Sequence, residues 1–202
     1  MKLYQIDDAG SLFISPALES WQPLTDQKIT TVFDVDEEPD PMLPTVSGGG
    51  FLYVYFWFED RGLPDLVTLH NLGRLGADLI ACGHRVLSHC GMGHNRSALL
   101  AGVMLTYLGH SGEEAIARIR ARRQGALYNH VYSDYLASLP VMRPASLAGL
   151  PEGMPGLATA SPAVITTVTT TVTTATVSAS GATITAGSIT TEVALTEVQE
   201  VS

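Results

Sequence analysis

Residues 86–105, VLSHCGMGHNRSALLAGVML, pass from one hydrophobic pattern to another through a polar joint. Val86 and Leu87 form a short apolar run, and Ala98, Leu99, Val103 and Leu105 recur on one helical face, so the segment reads as a buried strand, a tight loop and a helix packed on a sheet. A second periodic run, Leu66 to Ile80, starts directly after Asp65, a favoured N-cap residue, and predicts another helix. Toward the C-terminus the pattern changes. Leu147 to Pro155 is rich in Pro and Gly, and from Ser161 onward Thr, Val and Ala repeat without a single Lys or Arg. The chain therefore divides into one compact domain over 1–143 and a linker with a low-complexity tail over 144–202. The tail is β-branched and alternating, which suits short strands or self-association, but it is too poor in large apolar side chains to build a core. Extended or irregular structure is expected there, with no catalytic part.

The polar joint carries the chemistry. In a strand, loop, helix unit the unpaired N–H groups of the first helical turn and the positive end of the helix dipole face the loop, where an anion is stabilised. Gly91 and Gly93 have no Cβ to block a backbone curling around that anion. The Lys-Ser/Thr pair of a nucleotide-binding loop is missing, which disfavours ATP or GTP hydrolysis. Instead Cys90 opens the loop and Arg96 closes it. A thiol facing N–H donors and a guanidinium is favoured as thiolate, the nucleophilic form. Arg96 offers a planar fork that binds two phosphate oxygens at once and follows the charge through an in-line transition state.

His89-Cys90-Gly91-Met92-Gly93-His94-Asn95-Arg96-Ser97 resembles the His-Cys-x5-Arg-Ser/Thr signature of the cysteine-dependent protein tyrosine and dual-specificity phosphatases. Other segments agree with the small dual-specificity members. Ile29 to Val35 resembles their early strand, Ser15-Pro16-Ala17-Leu18 the turn ahead of the first helix, and Ser111 to Ala115 the opening of the helix after the signature helix. Ile119, Arg120, Arg123, Gly125 and Ala126 are similar to their Ile-Arg-x-x-Arg-Pro-Gly-Ala stretch, with Gln124 in place of the proline. The resemblance covers roughly residues 1 to 140. It implies an α/β fold with a mainly parallel central sheet flanked by helices.

It also implies roles. Cys90 would be the nucleophile and Arg96 the phosphate clamp, with the backbone of Gly91, Met92, Gly93, His94 and Asn95 completing the phosphate site. His89 would brace the loop through backbone hydrogen bonds, and the Ser97 hydroxyl would reach the sulfur and ease breakdown of the cysteinyl-phosphate. The family's proton donor is an aspartate upstream. Asp60 stands where the small members carry Asp in an Asp-x-Gly-x-Pro-Asp pattern, and the competing Asp65 has its own use as a helix cap. His94 has two readings, a cationic group at the pocket mouth below about pH 6.5 or a merely exposed side chain. The run Asp34-Val35-Asp36-Glu37-Glu38-Pro39-Asp40 also has two. Beside the pocket it would repel polyanions and attract basic peptide, and elsewhere it is a solvated surface run.

Composition narrows the setting. Net charge is −9 over 202 residues, 46% hydrophobic and 15% charged, which describes a globular acidic chain rather than a basic nucleic-acid-binding module. Two cysteines leave no disulfide framework, and Cys82, eight positions before Cys90, is expected to be a core residue near the start of the same strand. No signal peptide, membrane span or zinc-spaced histidine pair stands out, so a reducing cytoplasm without metal or other cofactor is expected. The leading expectation is a protein phosphatase acting on phosphotyrosine, with phosphoserine and phosphothreonine as further substrates. Its partner is then a phosphorylated protein or peptide, not a nucleic acid or a membrane. Two alternatives stay open: a phosphatase of RNA 5′ ends or another non-protein phosphate, toward which Asn95 points by resemblance, and a catalytically idle phosphate-binding module.

Overall fold

The computed structural model describes residues 2–41 and 51–142. The expected linker and tail, 144–202, lie outside the described residues.

Apolar alternation along three central strands creates two cores. Strand β1 is Tyr4–Gln5, β2 Leu12–Ser15, β3 Thr31–Asp34, β4 Leu52–Tyr55 and β5 Val86–His89. They form one sheet in the order β1-β2-β5-β3-β4, with β2, β5, β3 and β4 parallel and β1 antiparallel at the edge. Because successive side chains alternate between faces, Leu12, Ile14, Phe33 and Val86 enter the larger core while Phe13, Val32 and Leu87 enter the smaller one. Helix α1, Gln22–Asp26, covers the smaller core through Leu24.

The larger core lies against α2 (Leu66–Ala81), α3 (Arg96–Tyr107), α4 (Gly112–Arg122) and α5 (His130–Ala137). Every α3 residue from Ser97 to Thr106 is buried, as suits a helix apolar almost all round. Two glycines let α2 approach it closely: a Cβ on Gly73 would stand 2.5 Å from Val103 Cγ1, and one on Gly76 2.6 Å from Met104 Cε. Asp65 caps α2 by accepting from the Thr68 N–H at 2.7 Å, and Ser111 opens α4 in a reciprocal capping box with Glu114.

The expected mainly parallel sheet with flanking helices is what the structure shows. The β1–β2 hairpin was not anticipated; its turn is tied by the Asp7 carboxylate, which accepts from the Ser11 and Leu12 N–H groups. Cys82 needs correction. It is the exposed C-cap residue of α2, not a core residue of β5, because the helix runs to Ala81 and the strand begins only at Val86.

Parallel register sets the position of the site. Ser15 pairs with His89, and Asp34 pairs with His89 from the other side, so the C-terminal ends of β2, β5 and β3 finish level with one another. Ligands in open α/β sheets bind beyond such carboxyl ends.

Candidate active site

Strand β5 ends at His89, α3 begins at Arg96, and the six residues between make the loop. Its carbonyls are drawn outward. Gly91 O accepts from Ala17 N at 3.3 Å, Met92 O from Arg123 Nη2 at 3.0 Å, Gly93 O from Arg123 Nε at 3.3 Å and His94 O from Leu127 N at 2.8 Å. Gly93 N closes the curl on Cys90 O at 3.2 Å, and carbonyls engaged from outside leave the other N–H groups of the loop suited to an anion-binding nest. Gly93 is required here, since its φ is +64° and an added Cβ would stand 2.5 Å from the Ser15 carbonyl.

Cys90 is buried beneath this curl, only 3% exposed, and its Sγ lies 3.3 Å from Ser97 Oγ. Arg96 is held from its outer side. Nη1 donates to Val35 O at 3.1 Å and more weakly to Phe58 O at 3.5 Å, and Nη2 pairs with Asp36 Oδ1 at 3.0 Å. Its Nε is buried with no protein partner among the described residues, so one donor of the fork stays available to an anion.

Asp60 and Asp65, alternatives by sequence, are placed differently. Asp65 holds Thr68 N and Thr68 Oγ1, and these bonds keep its carboxyl below the usual range. Asp60 is tied to the signature loop: Oδ2 accepts from Asn95 Nδ2 at 2.9 Å, and Oδ1 from Asn129 Nδ2 at 3.2 Å. Asn95 Oδ1 in turn accepts from the Asn129 backbone N at 3.1 Å, closing a ring of three residues. Asn129 is also the N-cap of α5, so one residue joins the Asp60 loop to that helix. Tyr132 on α5 adds a second tie, its hydroxyl donating to Glu59 O at 2.7 Å. Burial, with smaller contributions from the Asp60 and Cys90 charges, raises the Tyr132 phenol well above its ordinary value.

His89 differs from the expectation. Among the described residues its ring makes no backbone hydrogen bond; Nε2 lies 2.8 Å from Asp40 Oδ2 and 3.7 Å from Asp34 Oδ1, close contacts off the line of a well-aligned bond. The reason is the register, which sets Asp34 beside His89 and brings a carboxylate cluster there before any loop carbonyl. These three residues form the one grouping among the described residues with donor atoms close enough to hold a metal ion, all within 4.8 Å. Both Asp34 oxygens already accept protein hydrogen bonds, which suits a hydrogen-bonded cluster. His94 is partly buried and meets a polar group through each ring nitrogen. Its Nδ1 faces Gly125 O at 3.2 Å and its Nε2 faces Arg123 Nη2 at 2.6 Å.

Beside Arg96 opens a cavity of about 360 Å³, lined by Glu37, Trp57, Glu59, Asp60, Arg61 and Arg96. Trp57 is 45% exposed and offers an indole to whatever enters. Asp36 and Asp40 belong to the acidic run that one sequence reading set beside the pocket; Trp57, Asn129 and Tyr132 were missed as members of the site. Only Asn129 had a local signal, as an N-cap residue ahead of an apolar-periodic run.

No protein-family profile and no curated protein matches the chain. Solved structures do. Human DUSP28 is 21% identical with a TM-score of 0.57, over 66% of this chain and 89% of that one. A human tyrosine phosphatase-like serine/threonine/tyrosine-interacting protein is 22% identical with a TM-score of 0.55, over 66% of this chain and 92% of that one. PTPMT1, solved in complex with PI(5)P, is 23% identical with a TM-score of 0.55, over 67% of this chain and 92% of that one. The described domain has the fold of the dual-specificity phosphatases.

Proposed function

We propose that this chain is a cysteine-dependent phosphomonoester hydrolase acting on phosphotyrosine in protein, with phosphoserine and phosphothreonine as further substrates of the same class. The observation that carries the reading is the convergence of three groups: a buried thiol under a loop whose carbonyls are held from outside, a guanidinium whose Nε has no protein partner among the described residues, and a carboxylate tied to the same loop. The Cys90 thiolate attacks phosphorus in line, forming the S–P bond as the P–O bond to the leaving oxygen breaks. Arg96 and the loop N–H groups follow the charge on the equatorial oxygens. Asp60 gives its proton to the departing oxygen. Water then attacks the cysteinyl-phosphate, Asp60 takes that water's proton, the S–P bond breaks, and the Ser97 hydroxyl stabilises the returning thiolate. A thiol nucleophile needs a reducing compartment, and the cytoplasm is the setting this reading takes.

Two observations favour protein over polyanionic substrates: Glu37 and Glu59 line the cavity next to Arg96, and Trp57 offers an aromatic wall to a phosphotyrosine ring. A non-protein phosphate is the second reading, because PTPMT1 was solved with PI(5)P. The first experiment is hydrolysis of p-nitrophenyl phosphate by wild type and Cys90→Ser. Loss of turnover with retained phosphate-ester binding in the variant is expected; more than a few per cent of wild-type kcat removes Cys90 from its role. Phosphopeptides assayed beside triphosphate-ended RNA and a phosphoinositide then separate the two substrate readings.

A further inference from the structure

The acidic run 34–40 is neither wholly a steering surface nor a solvated one, since three of its five carboxylates are turned inward. Asp34, the last residue of β3, is fully buried, and its Oδ1 accepts from Asp36 N at 2.9 Å. Its Oδ2 accepts from Asp40 N at 3.2 Å and from the Tyr53 hydroxyl on neighbouring β4. Three donors make a buried carboxylate tolerable. Burial, then the Asp34 bond, raises the Tyr53 phenol far above its ordinary value, so Tyr53 stays the donor. Asp40 N also donates to the Tyr53 oxygen at 2.9 Å, which fixes the far end of the loop.

The fold of the loop has two consequences. Asp36 arrives 3.0 Å from Arg96 Nη2, and Asp40 arrives 2.8 Å from His89 Nε2. Both of these residues of the signature are thus gripped by carboxylates that one buried carboxylate positions. We propose that Asp34, Asp36 and Asp40 form a positioning clasp, in which Asp34 folds the loop so that Asp36 orients the Arg96 guanidinium and Asp40 holds His89 behind the nucleophile. With Nη1 on Val35 O and Nη2 on Asp36, the plane of the fork is set before phosphate arrives. Preorganised donors of this kind act most strongly on the transition state. The clasp rests on the phosphatase reading, which wild-type turnover tests first and separately.

The clasp itself is judged on ratios between variants and wild type in affinity for inorganic phosphate and for vanadate, which adopts the five-coordinate geometry of the transition state and needs no turnover to bind. Asp36→Ala should lower kcat by about tenfold to a hundredfold, the scale of a displacement near 1 Å in a reacting group, and weaken vanadate more than phosphate. Asp36→Asn, which keeps an oxygen acceptor, should recover part of the loss. Asp40→Ala should show the same skew toward vanadate. In the double variant Asp34→Ala/Asp36→Ala the second change should add little, because the loop that presents Asp36 is already lost. Should Asp34→Ala fail to fold, Tyr53→Phe takes its place in the cycle and should show a smaller skew of the same sign. Three results overturn the proposal. Asp36→Ala that tightens phosphate binding would make Asp36 a competitor for the phosphate site. Fully additive losses at Asp34 and Asp36 would remove the hub. Loss of activity in EDTA, restored by zinc or manganese, would make Asp34, Asp40 and His89 a metal site.

Discussion

Gly93→Ala tests how far the curl of the signature loop depends on one missing Cβ. At φ +64° an alanine pays left-handed strain of about 1 kcal/mol. The added carbon would also meet Ser15 C and O at 2.5 Å and Pro16 N at 2.6 Å, whereas ordinary contact begins at 3.4 Å, so something must move by about 0.9 Å. Ser15 cannot yield easily, being fully buried and paired in the sheet with His89. The loop moves instead, and its N–H groups move with it. Overpacking adds about 1–3 kcal/mol, for a total near 2–4 kcal/mol of stability. A shift of that size near reacting atoms costs on the order of a hundredfold in rate. The assay is kcat on a phosphotyrosine peptide beside chemical unfolding. Gly109→Ala separates the two effects: its φ is +98° but nothing lies within 4 Å of the new Cβ and it stands away from the site, so it should lower stability and leave kcat alone. A Gly93→Ala enzyme with kcat within about threefold of wild type would refute the reasoning, since a displaced nest should lose far more than that.

Asp60→Asn should lower kcat on phosphotyrosine by roughly 10² to 10⁴ and cost much less on an activated aryl phosphate whose leaving group needs no proton, with initial rates across a leaving-group series as the check. Asp65→Asn should leave both rates unchanged and shift Tm little, because asparagine caps a helix nearly as well; the leaving-group-dependent loss appearing here instead would transfer the acid role to Asp65. Asn129→Ala, which frees one oxygen of Asp60 while the backbone N–H of position 129 keeps its bond to Asn95 Oδ1, should lower kcat by about tenfold with a smaller change in KM, and an unchanged kcat would show that the Asn129 amide does not position the acid. His70 lies between Tyr107 and Tyr135, and burial lowers its proton affinity below the ordinary range. Its folded value is therefore below the unfolded one of about 6.5, the unfolded chain takes the proton first, and the associated stability is intact above that pH and lost as pH falls through it. Urea unfolding at pH 7.5 and 5.5 should show the drop in wild type and a smaller one in His70→Gln; equal drops in the two proteins would exclude His70 as the cause.

What could be read in the sequence is what local spacing encodes. Cys90 and Arg96 lie within one strand, loop, helix unit, so their meeting needs no knowledge of the rest of the chain, and Asp65 with Thr68 is a contact inside one helical turn. Cys82 was misplaced because the boundary between α2 and β5 depends on how far the helix packs, which periodicity does not fix. The acidic run shows the limit most clearly. Five carboxylates in seven residues are plain in the sequence, but whether each faces water, Arg96 or His89 depends on Asp34 falling in register with His89 across two strands 55 residues apart. A one-residue slip of β3 would turn Asp34 to the other face and leave Asp36 and Asp40 without the carboxylate that folds them back. Charge pattern alone therefore suggests a field around the pocket, and sheet register converts most of that field into specific bonds. The charges that remain beside the cavity from this run reduce to Glu37, whose backbone is fixed by the Tyr55 hydroxyl on Glu37 O at 2.8 Å. Selection of basic over acidic peptides should accordingly depend on Glu37 and Glu59, opposed by Arg61, rather than on the whole run.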